Sequence, residues 1–263
     1  MRFIEVDLIK GVAVIFMVIF HFFYLAYFMD VKKYNISSGI LRFLAKSAHT
    51  TFIIMVGINL VLSYQRSQVM NRDADAYFGK QVKRSFMIFG AGIIISVLSY
   101  LSFGDMFVKF GIFQFIATAI LISQLVVHNK LYALIAMIII VALTFLKNKI
   151  SNLYDTCLKM PLICFITGLY NVKYSSLDHF PLLPYLAFIF LGIFVGHNLY
   201  INFKRNFNGS VIDRNTNNNG AKTLAYFGRH SLMIYFIHFP LFYFILLAYK
   251  KLTDQTQPII NSY

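Results

Sequence analysis

Apolar residues recur along this chain in runs of about twenty, the length at which an α-helix crosses the hydrocarbon core of a bilayer. Seven runs are predicted as spans: 8–28, 49–65, 85–103, 109–127, 131–147, 182–200 and 231–249. A soluble domain of 263 residues closes its core with less grease and more surface charge, whereas here 59% of residues are hydrophobic and 13% charged. The expected fold class is all-α, a polytopic helical membrane protein, with residues 1–263 read as one transmembrane domain. The stretch "MPLICFITGLY", 160–170, is apolar but too short to cross alone. It is a candidate re-entrant segment or half of an eighth span.

The formal charge of +14 would suit a nucleic-acid partner if it were concentrated in one tract. Instead the 24 Lys and Arg residues are scattered at the ends of the apolar runs, where such charges anchor spans at an anionic membrane surface. Membrane lipid is therefore an expected partner and nucleic acid is not. Cys157 and Cys164 are the only cysteines; their spacing matches no zinc or redox motif, and nothing in the sequence points to a disulfide framework. The first apolar run is longer than the core of a secretory signal, and "DVKKYN" follows it where a cleavage site would carry small residues. It reads as a retained anchor.

With the N-terminus in the cytoplasm, thirteen of the 24 basic residues fall on that side, a small majority that favours this orientation. The sequons Asn35-Ile-Ser37 and Asn208-Gly-Ser210 fall on opposite faces, so at most one is usable. The connector "NFKRNFNGSVIDRNTNNNGAK", 202–222, is polar and Asn-rich, and is expected to be a flexible link before the last span.

The first span carries the most informative polar residues. Lys10 and His21 are eleven positions apart, about three helical turns plus roughly 20°, with a rise of about 16 Å. Asp7, Lys10, Val14, Met17 and His21 thus share one stripe, from a membrane surface to mid-bilayer, and Asp7 can pair with Lys10 at i,i+3. Taken singly, Lys10 could be an interfacial anchor and His21 an inter-helix hydrogen bond. A cation and an imidazole on one face favour a cavity or seam over lipid. Ser231, Tyr235 and His238 form a second one-face stripe, and Pro240 is expected to bend the helix just after it. His49 opens the second span, where an interfacial role competes with a functional one, and Gln114 reads as an inter-helix hydrogen bond.

No His-x-x-x-His, Glu-x-x-His or carboxylate cluster lies within the spans, so no metal site is expected. A serine elbow, a phosphate loop and a dinucleotide fingerprint are also absent. What is left is histidine chemistry.

Five segments, in order, resemble the catalytic domain of heparan-α-glucosaminide N-acetyltransferase-like proteins, within the wider transmembrane acyltransferases. "RFIEVDLIKGVAVIFMVIFHFFY" is similar to the opening of that domain, and its basic-x10-His spacing resembles an acyltransferase signature. "FIIMVGINLVLS" (52–63), "FVKFGIFQFIATAILIS" (107–123), "SSLDHFPLLPYLAFIFLGIFVGH" (175–197) and "FGRHSLMIYFIHFPLF" (227–242) resemble its later elements. The chain departs from the pattern in places. Lys10 stands where relatives usually carry Arg, Gln114 where many carry His, and Leu25 where an acidic residue is common. In the lysosomal branch the catalytic histidine lies in the loop after the first span, but residues 30–48 hold none here, so His21 is the candidate, with His49 behind it.

The resemblance implies an enzyme that moves acetyl from cytoplasmic acetyl-CoA to a sugar amine or hydroxyl at the opposite face, with no metal. On that reading His21 is the general base, with a covalent acetyl-histidine as the competing mechanism and His238 as a further catalytic candidate. Lys10, Lys83 and Arg84 hold the phosphates of coenzyme A, whose arm runs past Val14 and Met17. Asp178, Ser231 and Tyr235 contact the acceptor or the developing oxyanion. The expected partners are lipid, acetyl-CoA and a glycan or amino-sugar acceptor, with a second copy of the chain as a candidate. A small-molecule transporter or channel, and an inactive scaffold of the same fold, are the alternatives.

Overall fold

The computed structural model describes residues 3–149, 157, 159–169, 176–215 and 218–256. Tyr170, Ser175 and positions 216–217, which belong to segments singled out above, lie outside the described residues. The chain divides into two compact units, Met1–Phe52 with Ser210–Tyr263, and Ile53–Gly209.

The first unit is built around α1 (Ile4–Phe28), a helix without Pro whose first turn holds Glu5 and Asp7 near the positive end of the helix dipole. Its amphipathicity is inverted relative to a soluble helix. Ile9, Val12, Ile15 and Ile19 are exposed, whereas Glu5, Asp7, Val14 and Met17 are buried. This is the pattern expected when lipid covers the apolar face and protein covers the polar one. The start of α2 (Gly39–Val69) also belongs to this unit, so residues 39–48 of the connection after the first span are already helical.

The described residues of the polar connector 202–222 are structured. They begin at the turn of a two-stranded hairpin, β1 (Tyr200–Ile201) and β2 (Lys204–Arg205), and continue through α8 (Ser210–Asn215) and the start of α9 (Asn219–Arg229). Composition misled here because tertiary packing supplies what propensity lacks. Asn218 caps α9 through its side chain, and α9 packs on α1 at a backbone-to-backbone approach. A Cβ on Gly228 would overlap the Asp7 carbonyl, and one on Gly11 the Leu224 carbonyl, so only glycines allow this crossing. The unit closes with α10 (Ser231–Thr256), continuous through Pro240, whose Lys250 Nζ donates to the Met29 carbonyl at 3.0 Å.

The second unit holds the rest of α2, α3 (Ala74–Phe103), α4 (Ile112–Ser123), α5 (Lys130–Leu146), α6 (Pro161–Thr167), α7 (Leu182–Leu199) and the hairpin. Its core is aliphatic and aromatic: Ile53, Leu60, Phe115, Ile120, Ile189 and Ile193 have no exposed surface. Two pairs dominate the packing, α3 with α4 and α5 with α7. Gln65 fixes the hairpin, its Nε2 donating to the Tyr200 carbonyl at 2.7 Å and its Oε1 accepting from Phe203 N–H at 2.9 Å. Outward, α3 presents Phe86, Met87, Ile93, Val97 and Leu101, and α5 presents Ile135, Ile138 and Phe145, all exposed. Burying such faces is favourable by roughly 25 cal/mol per Å², and lipid is the medium that does so here.

Five helices are long and apolar enough to cross a membrane: Ile4–Phe28, Gly39–Val69, Ala74–Met106, Leu182–Leu199 and Ser231–Thr253. The runs expected at 109–127 and 131–147 form shorter apolar helices, Ile112–Ser123 and Lys130–Leu146. The former is shortened because residues 104–111 are taken up by a 3-10 turn and a bridge between Phe110 and His179. Segment 160–170 contributes α6, seven residues long. Cys157 and Cys164 form a disulfide, a pairing that no motif in the sequence suggests.

Candidate active site

The α1 stripe ends where α10 meets it. The His21 and His238 ring centroids are 5.0 Å apart, and Tyr235 lies 6.0 Å from His21 and 5.4 Å from His238, all edge-on. Tyr24 and Phe239 complete the aromatic surround of His21. This brings together three residues that sequence spacing had placed on two separate stripes. Ser231 is buried at the start of α10.

Both imidazoles are oriented by their own helices. His21 Nδ1 lies 3.0 Å from the Met17 carbonyl, and His238 Nδ1 lies 3.0 Å from the Ile234 carbonyl. A carbonyl oxygen only accepts, so each Nδ1 carries the hydrogen and each Nε2 carries a lone pair. His238 Nε2 is buried and has no hydrogen-bond partner among the described residues. Buried polar atoms are nearly always satisfied, so an orphaned basic nitrogen beside a second imidazole marks a place where a ligand proton can be received.

At the other end of the stripe, Lys10 Nζ sits 3.0 Å from Asp7 Oδ1, the pairing that the i,i+3 spacing predicts. Arg229 Nε approaches Asp7 Oδ2 at 3.9 Å, carried there by α9. Arg229 was missed as a site residue because nothing local in the sequence signals that α9 docks on α1. Between the two ends the stripe is filled. Val14, Met17 and Ala48 form a buried cluster against which Phe16, Val18, Ile234 and Tyr235 pack. His49 is half-buried on α2 and engages the carbonyl of Ala45, one turn back.

Lys83, Arg84 and Asp178 belong to the second unit. Lys83 is exposed on α3 and Arg84 is half-buried. Asp178 Oδ2 accepts the backbone N–H of Ile112 at 3.1 Å, at the entrance of α4. Gly111 makes room for that carboxylate, since a Cβ there would crowd both Asp178 Oδ2 and Val108. Burial pushes the Asp178 carboxyl up to about 6, against the opposing pull of the N–H groups of Ile112 and His179. Around it, Ser176 Oγ donates to the Asp178 or Phe107 carbonyl and accepts from Lys109 N–H. His179 Nε2 bonds to the Phe165 carbonyl at 2.9 Å. Gln114 makes the inter-helix bond expected of it, donating to Ser96 Oγ at 2.9 Å.

A family model described as heparan-alpha-glucosaminide N-acetyltransferase, catalytic, matches residues 2–240 of the 263-residue chain. No curated protein and no solved structure matches it. The chain belongs to the heparan-alpha-glucosaminide N-acetyltransferase catalytic-domain family.

Proposed function

We propose that this family member takes acetyl from acetyl-CoA at the cytoplasmic face and passes it to a sugar amine or hydroxyl, with His21 as general base. The observation that carries the reading is the His21–His238 pair, two imidazoles whose Nδ1–H groups are tied to helix carbonyls so that Nε2 is the basic nitrogen of each. An acceptor O–H or N–H would give its proton to His21 Nε2 as its heteroatom attacks the thioester carbonyl. The C–S bond then breaks and coenzyme A leaves as the thiolate, which recovers the proton. In this tautomer His238 has no N–H left for an oxyanion, so it serves as a second proton acceptor. Tyr24 and Tyr235 are the phenols beside His21, and the Tyr235 ring lies against both imidazoles.

Lys10, held by Asp7 and joined by Arg229, supplies cationic character at the rim of α1. The route past Val14 and Met17 is occupied by Ile234 and Tyr235, so a donor arm following it requires α10 to part from α1. We assign Asp178 to holding the entrance of α4 instead of to the acceptor, because its Oδ2 is committed to Ile112 N–H.

The Cys157–Cys164 disulfide supports a cytoplasmic N-terminus. Disulfides persist in oxidising compartments, and an odd number of crossings precedes this pair, whether the three long helices α1 to α3 are counted or the shorter α4 and α5 are added to them. The Phe110–His179 bridge agrees with α4 and α5 forming an inward-and-outward pair, since it joins the connections before α4 and before α7.

The test uses the purified chain in liposomes with labelled acetyl-CoA and a panel of amino and hydroxyl sugars. Acetylated sugar is the expected product. Sugar carried across the bilayer without acetylation would replace this reading with a transporter, and neither outcome with any sugar would leave a scaffold.

A further inference from the structure

The inner end of the α2–α3 hairpin carries a second polar concentration, far along the sequence from either histidine. Tyr77, Lys80, Gln81 and Arg84 are spaced i, i+3, i+4 and i+7 on α3, which sets them on one helical face. Tyr77 and Gln81 on that face are buried. Gln81 Nε2 donates to Ser63 Oγ of α2 at 3.1 Å, and the Tyr64 and Tyr77 rings meet edge-on with centroids 5.6 Å apart. The hydroxyl of Tyr77 and the Oε1 of Gln81 are both buried with no hydrogen-bond partner among the described residues.

Cations crowd the same place. Lys80 lies within electrostatic reach of Arg66, Arg72 and Arg84, and Arg84 within reach of Tyr77. Asp73 and Asp75 are exposed, and no described ion pair joins them to these cations. An ordinary anchoring cation extends into water or headgroups, but Arg84 is half-buried. Four like charges repel one another there, beside a buried hydroxyl that has no hydrogen-bond partner among the described residues. An anion bearing several acceptor oxygens would relieve both, accepting from the guanidinium, the ammonium and the Tyr77 O–H.

We infer that Tyr77, Lys80 and Arg84, with Arg66 and Arg72 around them, form a binding site for a phosphate-bearing ligand at the cytoplasmic end of the α2–α3 hairpin. Two sources carry that chemistry, the nucleotide phosphates of coenzyme A and the headgroups of anionic phospholipids. The first is the donor of the acetyltransferase reading, and that arm rests on it. The second holds whether or not the chain transfers acetyl groups.

Binding without turnover tests the site independently of that reading. The full chain is placed in phosphatidylcholine nanodiscs and titrated with 3′,5′-ADP, and in a parallel arm with short-chain phosphatidylglycerol, following the shift in thermal transition. Saturable stabilisation by at least one probe is expected, weakened tenfold or more in Arg84→Gln and Lys80→Gln. Lys204→Gln on the hairpin, of equal charge change, should leave the affinity unaltered. Tyr77→Phe guards against variants that fail to fold, because it removes only an unpaired hydroxyl. It should leave the unliganded transition unchanged or higher and weaken binding about threefold. Stabilisation by the nucleotide alone identifies the donor, and by the lipid alone the membrane. No stabilisation by either probe, or equal weakening in Lys204→Gln, overturns the site.

Discussion

Two clusters of polar side chains, one in each unit, were both readable as sites, and they are satisfied to different degrees. Around Asp178 the polar groups hold backbone: the carboxylate takes Ile112 N–H, Ser176 Oγ takes Lys109 N–H, and His179 Nε2 bonds to the Phe165 carbonyl. Around His21 the backbone is already satisfied by helices, and the side chains have capacity to spare, most clearly at His238 Nε2. Backbone outside regular helices depends on side chains for its hydrogen bonds, whereas a pair of regular helices does not. Residue type alone does not separate these cases; the hydrogen-bond partners do.

The contrast breaks most visibly at His21. Replacing a general base removes roughly 10²–10⁴-fold in rate, so His21→Ala should abolish measurable acetyl transfer while keeping the wild-type elution profile in detergent. His238→Gln is the next step down. A second proton acceptor is worth less than the base itself, and a loss of about tenfold in kcat with KM little changed is expected. If His238→Gln instead matched His21→Ala, the two imidazoles would act as one unit.

Changes around Asp178 should register in stability and leave rate alone. Asp178→Ala removes the acceptor at the start of α4 and should cost about 1 kcal/mol, read as a lower thermal midpoint. Asp178→Asn keeps an acceptor oxygen and should transfer acetyl within about twofold of wild type. A large rate loss in Asp178→Asn would mean that the carboxylate touches the acceptor after all.

The same carboxyl also makes stability depend on pH. The folded carboxyl titrates at about 6, above the usual carboxylate value, so the folded state holds a proton that the unfolded state releases. Stability is therefore lost as pH rises from about 4 to about 6, and the loss is complete above that window. Asp178→Asn should gain on wild type above pH ~6, with the gain fading to nothing below pH ~4, by thermal melts across that range.

Much of this was legible beforehand. The α1 stripe, the Asp7–Lys10 pair, the Gln114 bond and the Ser231–Tyr235–His238 face follow from a period of 3.6, because helices in lipid have few other ways to satisfy their backbone. The misreadings share a cause. Residues 202–222 look like linker by composition, yet Gln65 fixes the hairpin at their start and the glycine crossing holds α9 on α1, both through long-range contacts. Arg229 was hidden for the same reason, since no local periodicity encodes which segment folds back on which. The Cys157–Cys164 pair is only seven residues apart and was hidden because its spacing matches no motif. Asp178 was visible as a residue but not as a cap, because its partner lies 66 positions away.

The most direct check is the tautomer of the two facing histidines, read by nitrogen NMR on the chain labelled at histidine, in nanodiscs at neutral pH. His21 and His238, assigned through His21→Asn and His238→Asn, should each show a protonated Nδ1 and a bare Nε2. If either ring carries its hydrogen on Nε2, the base proposed for the reaction does not exist in the form required, and the account of the site fails.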